Sequence, residues 1–145
     1  MIKIICLGKI KEDYLNSMIS DYEKRISKYH KINIIELKDT NDLNEEKDDI
    51  NKHISNQDYI IALDIDGTNM SSVEFASTIN NTFNHYGTIT FIIGSSNGLH
   101  KDIKSKANLR LSFSKMTFPH GLFRAILLEQ IYRSFKIINN ESYHK

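Results

Sequence analysis

The residues best equipped for chemistry sit in the last quarter of the chain. Glu129 and Arg133 stand four residues apart, as do His120 and Arg124, in and just before a largely apolar segment, Leu122 to Ile138. At about 100° per residue, side chains at i and i+4 meet on one helix face. The two pairs therefore fall on nearly opposite faces. Charges set into an apolar helix must be paired or used. A Glu–Arg pair can be a simple salt bridge, or it can hold and move protons or stabilise developing charge. Behind it the tail Tyr143-His144-Lys145 adds a phenol, an imidazole and an amine. Ahead of it runs Phe113-Ser114-Lys115-Met116-Thr117-Phe118-Pro119-His120, a polar loop ending at the single proline of the chain. Proline has φ fixed near helical values and no N–H, so Pro119 is expected at the first position of the helix. That helix is apolar around most of its girth, which predicts burial on more than one side and a second subunit as part of the cover.

Two further segments carry chemical signals. Asp64-Ile-Asp66-Gly67-Thr68 follows an apolar run and resembles the first motif of haloacid-dehalogenase-type phosphatases. There one Asp attacks phosphorus and the other handles the proton, beside Mg²⁺. Such a site needs more downstream carboxylates than Asp102, Glu74, Glu129 and Glu141 can assemble. Asp-Gly is also an ordinary turn after a strand. Gly94-Ser95-Ser96-Asn97-Gly98 lies between a strand pattern and a helix pattern, where glycines let the backbone approach a ligand. It is neither a dinucleotide fingerprint nor a P-loop. The six histidines fall in no metal-ligand spacing, so no metal is expected. Cys6, the one cysteine, is flanked by apolar residues and reads as core filler in a reducing, cytoplasmic setting.

The elements that must position these groups alternate. Strand-like runs Ile2–Leu7, Ile32–Leu37, Tyr59–Ile65, Ile89–Ile93 and Leu109–Phe113 are each followed by a helical pattern: Tyr14–Tyr29, Leu43–Ile54, Val73–Tyr86, Leu99–Ala107 and the last helix. Ser71 and Glu74 have capping-box spacing before the third helix. The alternation predicts one α/β domain over residues 1–145 with a mostly parallel sheet and helices on both faces. Ligand crevices in such sheets open at the carboxyl ends of strands. The loops after Leu63, at Gly94 and at Phe113–Phe118 should meet there. The acidic stretch 39–49 is expected to be the most mobile connection. Hydrophobic content of 40% and charged content of 26% suit a globular chain. No apolar run is long enough to span a bilayer, and the opening residues read as a strand rather than a signal peptide. The net charge of +1 conceals a division. Residues 39–98 carry two lysines against ten acids, and residues 99–145 carry nine basic residues against three acids. A basic C-terminal third suggests a polyanionic partner.

Taken in order, four blocks resemble the ribosomal RNA large subunit methyltransferase H family of the SPOUT methyltransferases. They are Phe91-Ile-Ile-Gly-Ser-Ser-Asn-Gly-Leu99, Leu111-Ser112 with the loop to His120, Leu127-Leu-Glu-Gln-Ile-Tyr-Arg133, and Tyr143-His144-Lys145. The likeness covers the whole chain and is weakest over residues 39–56. It implies a C-terminal trefoil knot, a homodimer, and S-adenosylmethionine bound in the knot. The activity it implies is methylation of N3 of a pseudouridine in helix 69 of 23S rRNA, within the assembled ribosome in the cytoplasm. Carried over by position, Leu63, Gly94, Phe113, Ser114, Lys115, Met116, Thr117 and Phe118 would line the cofactor site. Arg124, Glu129, Arg133, Tyr143 and His144 would lie near the target base. Arg124, Arg133 and His144 would supply a field favouring the N3 anion, with His144, Glu129 or solvent as proton acceptor. Lys101, Lys104, Lys106, Arg110 and the C-terminus would meet phosphates. Two positions depart from the family pattern: Ser95 stands where a second glycine is usual, and Gly121 where glutamine often follows Pro-His. The competing readings are the phosphatase built on Asp64 and Asp66 and a ribosome-binding protein without activity.

Overall fold

The computed structural model describes residues 1–145. Strands β1 (Ile2–Leu7), β2 (Ile32–Leu37), β3 (Tyr59–Asn69), β4 (Ile89–Ile93) and β5 (Leu109–Ser112) alternate with helices α1 (Asp13–Ile26), α2 (Leu43–Asn51), α3 (Ser72–Phe83), α4 (Lys101–Lys106) and α5 (His120–Ile138). The strands form one sheet in the order β2-β1-β4-β3-β5, every pairing parallel. The expected α/β architecture is therefore the one observed.

Side-chain alternation along the strands explains the layering. Ile2, Ile4 and Cys6 of β1, Ile61 of β3 and Ile89, Phe91 and Ile93 of β4 enter the larger core. That core also takes Leu15 and Ile19 of α1, Phe75 and Ile79 of α3, and Ala125, Leu127, Leu128, Ile131 and Phe135 of α5. Ile5, Leu7, Ile60, Ala62 and Ile92 point the other way, against Ile50 of α2 and Leu99 and Ile103 around α4. Helices α1, α5 and α3 thus cover one face, with α5 in contact with both neighbours, and α2 and α4 cover the other. Both faces of the strands are buried, hence their near-continuous apolar runs.

Several boundaries differ from the sequence reading, each for a local reason. Strand β3 continues to Asn69 because residues after Leu63 bulge out: Leu63 and Thr68 both stand opposite Leu111. Gly67 permits this, since a Cβ there would lie 2.6 Å from the Arg110 carbonyl oxygen. Pro119 is the N-cap of α5 (φ −54°, ψ 138°) rather than its first helical residue. Helix α4 is shorter than expected, because Leu99 turns into the core and His100 caps the helix with Nδ1 accepting from the Asp102 N–H at 2.9 Å. The acidic stretch expected to be mobile is mostly helix. Asp42 caps α2 by accepting from the N–H groups of Asn44 and Glu45, which turns a local excess of acid into a favourable charge at a helix N-terminus. Ser71 and Glu74 form the expected capping box of α3.

Candidate functional site

At the carboxyl ends of β3, β4 and β5, three connections converge on a cleft of about 430 Å³. Its lining includes Leu63, Gly94, Phe113, Ser114, Met116, Thr117 and Phe118. The three loops that the sequence placed together do meet here. Lys115 does not line the cleft and is exposed.

The β4 turn is built by glycines. A Cβ on Gly94 would stand 2.5 Å from the Gly98 carbonyl oxygen, so only glycine allows the chain to fold back so tightly. Gly98 takes φ +77°, and its N–H donates to the Ser95 carbonyl at 2.9 Å. Ser95 sits inside this turn without a left-handed backbone, so its departure from the family pattern carries no strain. Its hydroxyl accepts from the Asn97 N–H and donates to Glu46. On the opposite wall, the β5 exit loop is tied by its serines: Ser112 Oγ donates to the Ser114 carbonyl, and Ser114 Oγ accepts from the Met116 N–H. Phe123, which the sequence reading did not single out, holds this loop from behind, with its ring centre 5.2 Å from Phe113 and 6.0 Å from Phe118. An i, i+5 aromatic pair spanning a helix start was the signal available for it. The result is an apolar slot with exposed backbone polar groups, a shape suited to a flat heterocycle with a polar tail.

Asp64 and Asp66 lie on the rim of the cleft, but not as a phosphatase pair. Asp64 is 7% exposed, accepts from the Asp66 N–H at 3.1 Å, and faces Arg110 at 3.5 Å and Lys104 at 3.7 Å. Its carboxylate secures the β3 bulge. Nowhere do three or more His, Cys, Asp or Glu side chains converge to hold a metal ion. Lys104 and Arg110 are thus engaged by Asp64, Lys106 donates to Asn51 at 2.9 Å, and Lys101 is exposed.

A second group of polar residues lies further along α5. Arg133 donates from Nε and Nη2 to Glu129 Oε1, the first at 3.0 Å, and Tyr143 OH donates to the same oxygen at 3.0 Å. Gln130 donates to Glu129 Oε2 at 3.1 Å. The Arg133 guanidinium lies 4.9 Å from the Tyr143 ring centre, and its Nη1 is 3.0 Å from His144 Nδ1. The tail reaches back because Asn140 adopts φ +53°, a conformation asparagine tolerates, and because Glu141 accepts from Tyr29 OH and Lys136. Hydrogen bonding to Glu129 holds the Arg133 guanidinium above its already high value. Burial, with Tyr22 and Glu129 adding to it, raises the Tyr143 phenol, so it stays a donor. Four of the five residues expected near the reacting base are thus one cluster.

Arg124, the fifth, is elsewhere. It is 2% exposed, pairs through Nη1 with Glu36 of β2, and donates from Nη2 to the Gly8 carbonyl at 3.1 Å. It pins the start of α5 to the ends of β1 and β2. His120 beside it has a buried Nε2 without a partner. Burial first, then the Arg124 charge, lowers its pKa. Neither Arg124 nor any member of the Glu129 cluster lines the cleft, whereas His120 and Phe123 do. From Phe123 to Arg133 is ten residues of helix, about 15 Å along the axis.

Comparison with known proteins supplies the family. A family profile described as Predicted SPOUT methyltransferase matches residues 1–144. The chain belongs to the SPOUT methyltransferases. Within that family it is 48% identical over 157 aligned positions to a ribosomal RNA large subunit methyltransferase H of Clostridium botulinum (strain 657 / Type Ba4), covering 99% of each chain. It is 46% identical over 154 positions to the protein of the same name from Caldicellulosiruptor saccharolyticus, covering all of both. Among solved structures, a probable methylase family protein from Haemophilus influenzae Rd KW20 superposes with a TM-score of 0.57 at 12% identity, over 99% of this chain and 70% of that one. The SpoU methyltransferase AviRb from Streptomyces viridochromogenes, solved in complex with AdoMet, gives 0.50 at 8% identity over 92% and 57%. These two show the SPOUT methyltransferase fold alone.

Proposed function

We propose that this SPOUT methyltransferase transfers a methyl group from S-adenosylmethionine to N3 of a pseudouridine in helix 69 of 23S rRNA, acting on assembled ribosomes in the cytoplasm as a homodimer. One observation carries the reading. The nucleoside-shaped cleft and the Glu129-Arg133-Tyr143-His144 cluster both lie along α5, yet no cluster residue lines the cleft of its own chain. A second copy with α5 running past the first would bring one chain's cluster to the other's cleft. The stripe Leu122, Ile126, Glu129, Arg133 is spaced to face such a partner, with Leu122 36% exposed. The trefoil threading belongs to the same proposal. Its support is the strand order: after β4 the chain crosses β3 to form β5, then returns as α5 between α1 and α3.

The residues present fit the cofactor. Gly94 keeps a Cβ out of the turn and Gly98 supplies its positive φ, while Leu63, Phe113 and Phe118 offer apolar faces to the adenine. Asp66, exposed on the rim, adds a carboxylate towards a cationic ligand. When bound, S-adenosylmethionine supplies an already activated methyl group on a sulfonium.

The work left to the protein is alignment and charge. Holding nucleophile and methyl in line is worth several kcal/mol. The imide N3 is a weak nucleophile until its proton leaves, and a cationic field favours the anion. Arg133, kept charged by Glu129, supplies that field; Tyr143 OH fixes Glu129, and His144 completes the donor edge. Arg124 contributes by fixing where α5 begins.

The direct test is methyl transfer from S-adenosylmethionine to ribosomes isolated from cells lacking this gene, followed by mapping of methylated positions in the rRNA. The expected product is one N3-methylpseudouridine in helix 69. Stoichiometric cofactor binding with no methyl transfer would favour the non-catalytic ribosome-binding reading instead.

A further inference from the structure

Glu46 is 1% exposed, although it lies in the acidic stretch expected from sequence to be the most mobile connection. It stands on α2, on the sheet face away from α5, and does not line the cleft. Its Oε2 accepts from the Thr40 N–H at 3.0 Å, and its Oε1 accepts from Ser95 Oγ at 3.3 Å. Ser95 does line the cleft, and its carbonyl takes the Gly98 N–H that closes the β4 turn. A buried carboxylate is thus linked, through one hydroxyl, to the turn that carries Gly94. Burial, with the neighbouring Asp39 carboxylate adding to it, pushes its carboxyl above the ordinary range, against the Thr40 N–H and the Ser95 hydroxyl, which favour the charged form. A folding requirement alone would be met by an apolar residue at this position.

Building on the cofactor reading above, we propose that Glu46 is a positioning residue: acting through Ser95, it sets the β4 turn in the conformation that binds S-adenosylmethionine. Without it, the five-residue turn keeps its glycines but loses its only side-chain tether to the α2 layer. Ligand-free chains would then populate turn conformations that do not bind, and apparent affinity falls in proportion. The chemical step, which occurs only in correctly loaded protein, is unaffected. Glu46 never touches the ligand.

The test uses Glu46→Gln, Ser95→Ala and the double variant in the full-length protein. Two measurements are made: amide hydrogen exchange at Gly98 without ligand, and calorimetric titration with S-adenosylmethionine. Each single variant should speed Gly98 exchange and weaken cofactor affinity by about tenfold, the loss of one buried hydrogen bond. The double variant should be no worse than either single one, because both act through the same bond. At saturating cofactor, kcat of Glu46→Gln, whose altered side chain lies outside the cleft, should stay at the wild-type value. Unchanged Gly98 exchange in Glu46→Gln, or additive losses in the double variant, would overturn the proposal. If wild-type protein gave no heat with S-adenosylmethionine while Gly98 exchange responded as expected, the cofactor reading would fall and the proposal of cofactor positioning with it, leaving only a tether on the turn.

Discussion

Arg133 Nη1 and His144 Nδ1 lie 3.0 Å apart. A guanidinium can only donate, so Nδ1 of His144 is the acceptor, and in the neutral ring the proton sits on Nε2. His144 therefore turns an N–H donor outward rather than a free base. Glu129 is equally occupied, with Arg133 and Tyr143 on one oxygen and Gln130 on the other. Both groups already accept hydrogen bonds within the cluster, and solvent is the proton acceptor we propose. Single-turnover methyl transfer should then rise steadily with pH between about 6 and 9. His144→Gln should lower the rate by about tenfold or more, as expected for loss of one donor aimed at developing charge, and keep the same slope. Loss of that slope in the variant would make His144 the base.

The two arginines of α5 should fail in different ways. Arg133→Ala should reduce transfer by tenfold or more with cofactor affinity and thermal midpoint nearly unchanged. Arg124 is a buried ion anchored to Glu36 and the Gly8 carbonyl, and Glu36→Ala would leave it uncompensated. That change should cost about 1–3 kcal/mol of stability, since Glu36 is partly exposed and the Gly8 carbonyl remains, read by urea unfolding. A loss below about 1 kcal/mol would show that Arg124 does not depend on Glu36.

His120 ties stability to pH. Burial and the nearby Arg124 hold its folded-state pKa below the ordinary value of 6.5, so the unfolded chain binds a proton that the folded chain does not. The resulting stability is full above about pH 6.5 and is lost as pH falls below it. His30, also lowered by burial, has the same sign. His120→Gln should flatten, without abolishing, the drop in unfolding free energy between about pH 7.5 and 5.5. An unchanged drop would mean that His120 is protonated in the folded protein.

The departure at Gly121 is a packing choice. A Cβ there would come within 3.0 Å of Leu15 Cδ1 and 3.4 Å of Ile10 Cγ1, so glycine lets the first turn of α5 sit close against α1. Gly121→Gln should therefore destabilise by about 1–3 kcal/mol, despite the better helix propensity of glutamine. A rise in the thermal midpoint would contradict this.

Much of this was legible in the sequence because periodicity records burial. Ile2–Leu7 and Ile89–Ile93 are apolar throughout because both of their faces are covered, and the capping box at Ser71 announced α3. The convergence of the Leu63, Gly94 and Phe113 loops followed from parallel-sheet geometry. What local patterns could not reveal depended on long-range contacts. Arg124 looks like any charged helix residue until Glu36 and Gly8, more than eighty residues away in the chain, are brought beside it. The Asp64–Gly67 segment carries a chemical motif in one dimension and a bulge in three, because only the approach of β5 reveals why glycine stands at 67. Glu46 reads as solvated acid until Ser95 closes over it.

The central claim is that one chain's Glu129-Arg133-Tyr143-His144 cluster serves the cleft of a second chain. Co-expression of Gly94→Ala subunits, whose β4 turn cannot fold back against the Gly98 carbonyl, with Arg133→Ala subunits, whose cluster is broken, tests it directly. Each parent protein should be nearly inactive. Random pairing should restore about a quarter of the wild-type sites, since half the dimers are mixed and each has one intact cleft facing one intact cluster. Methyl transfer by the mixture no higher than that of the two parents would place cluster and cleft in the same chain and contradict the account.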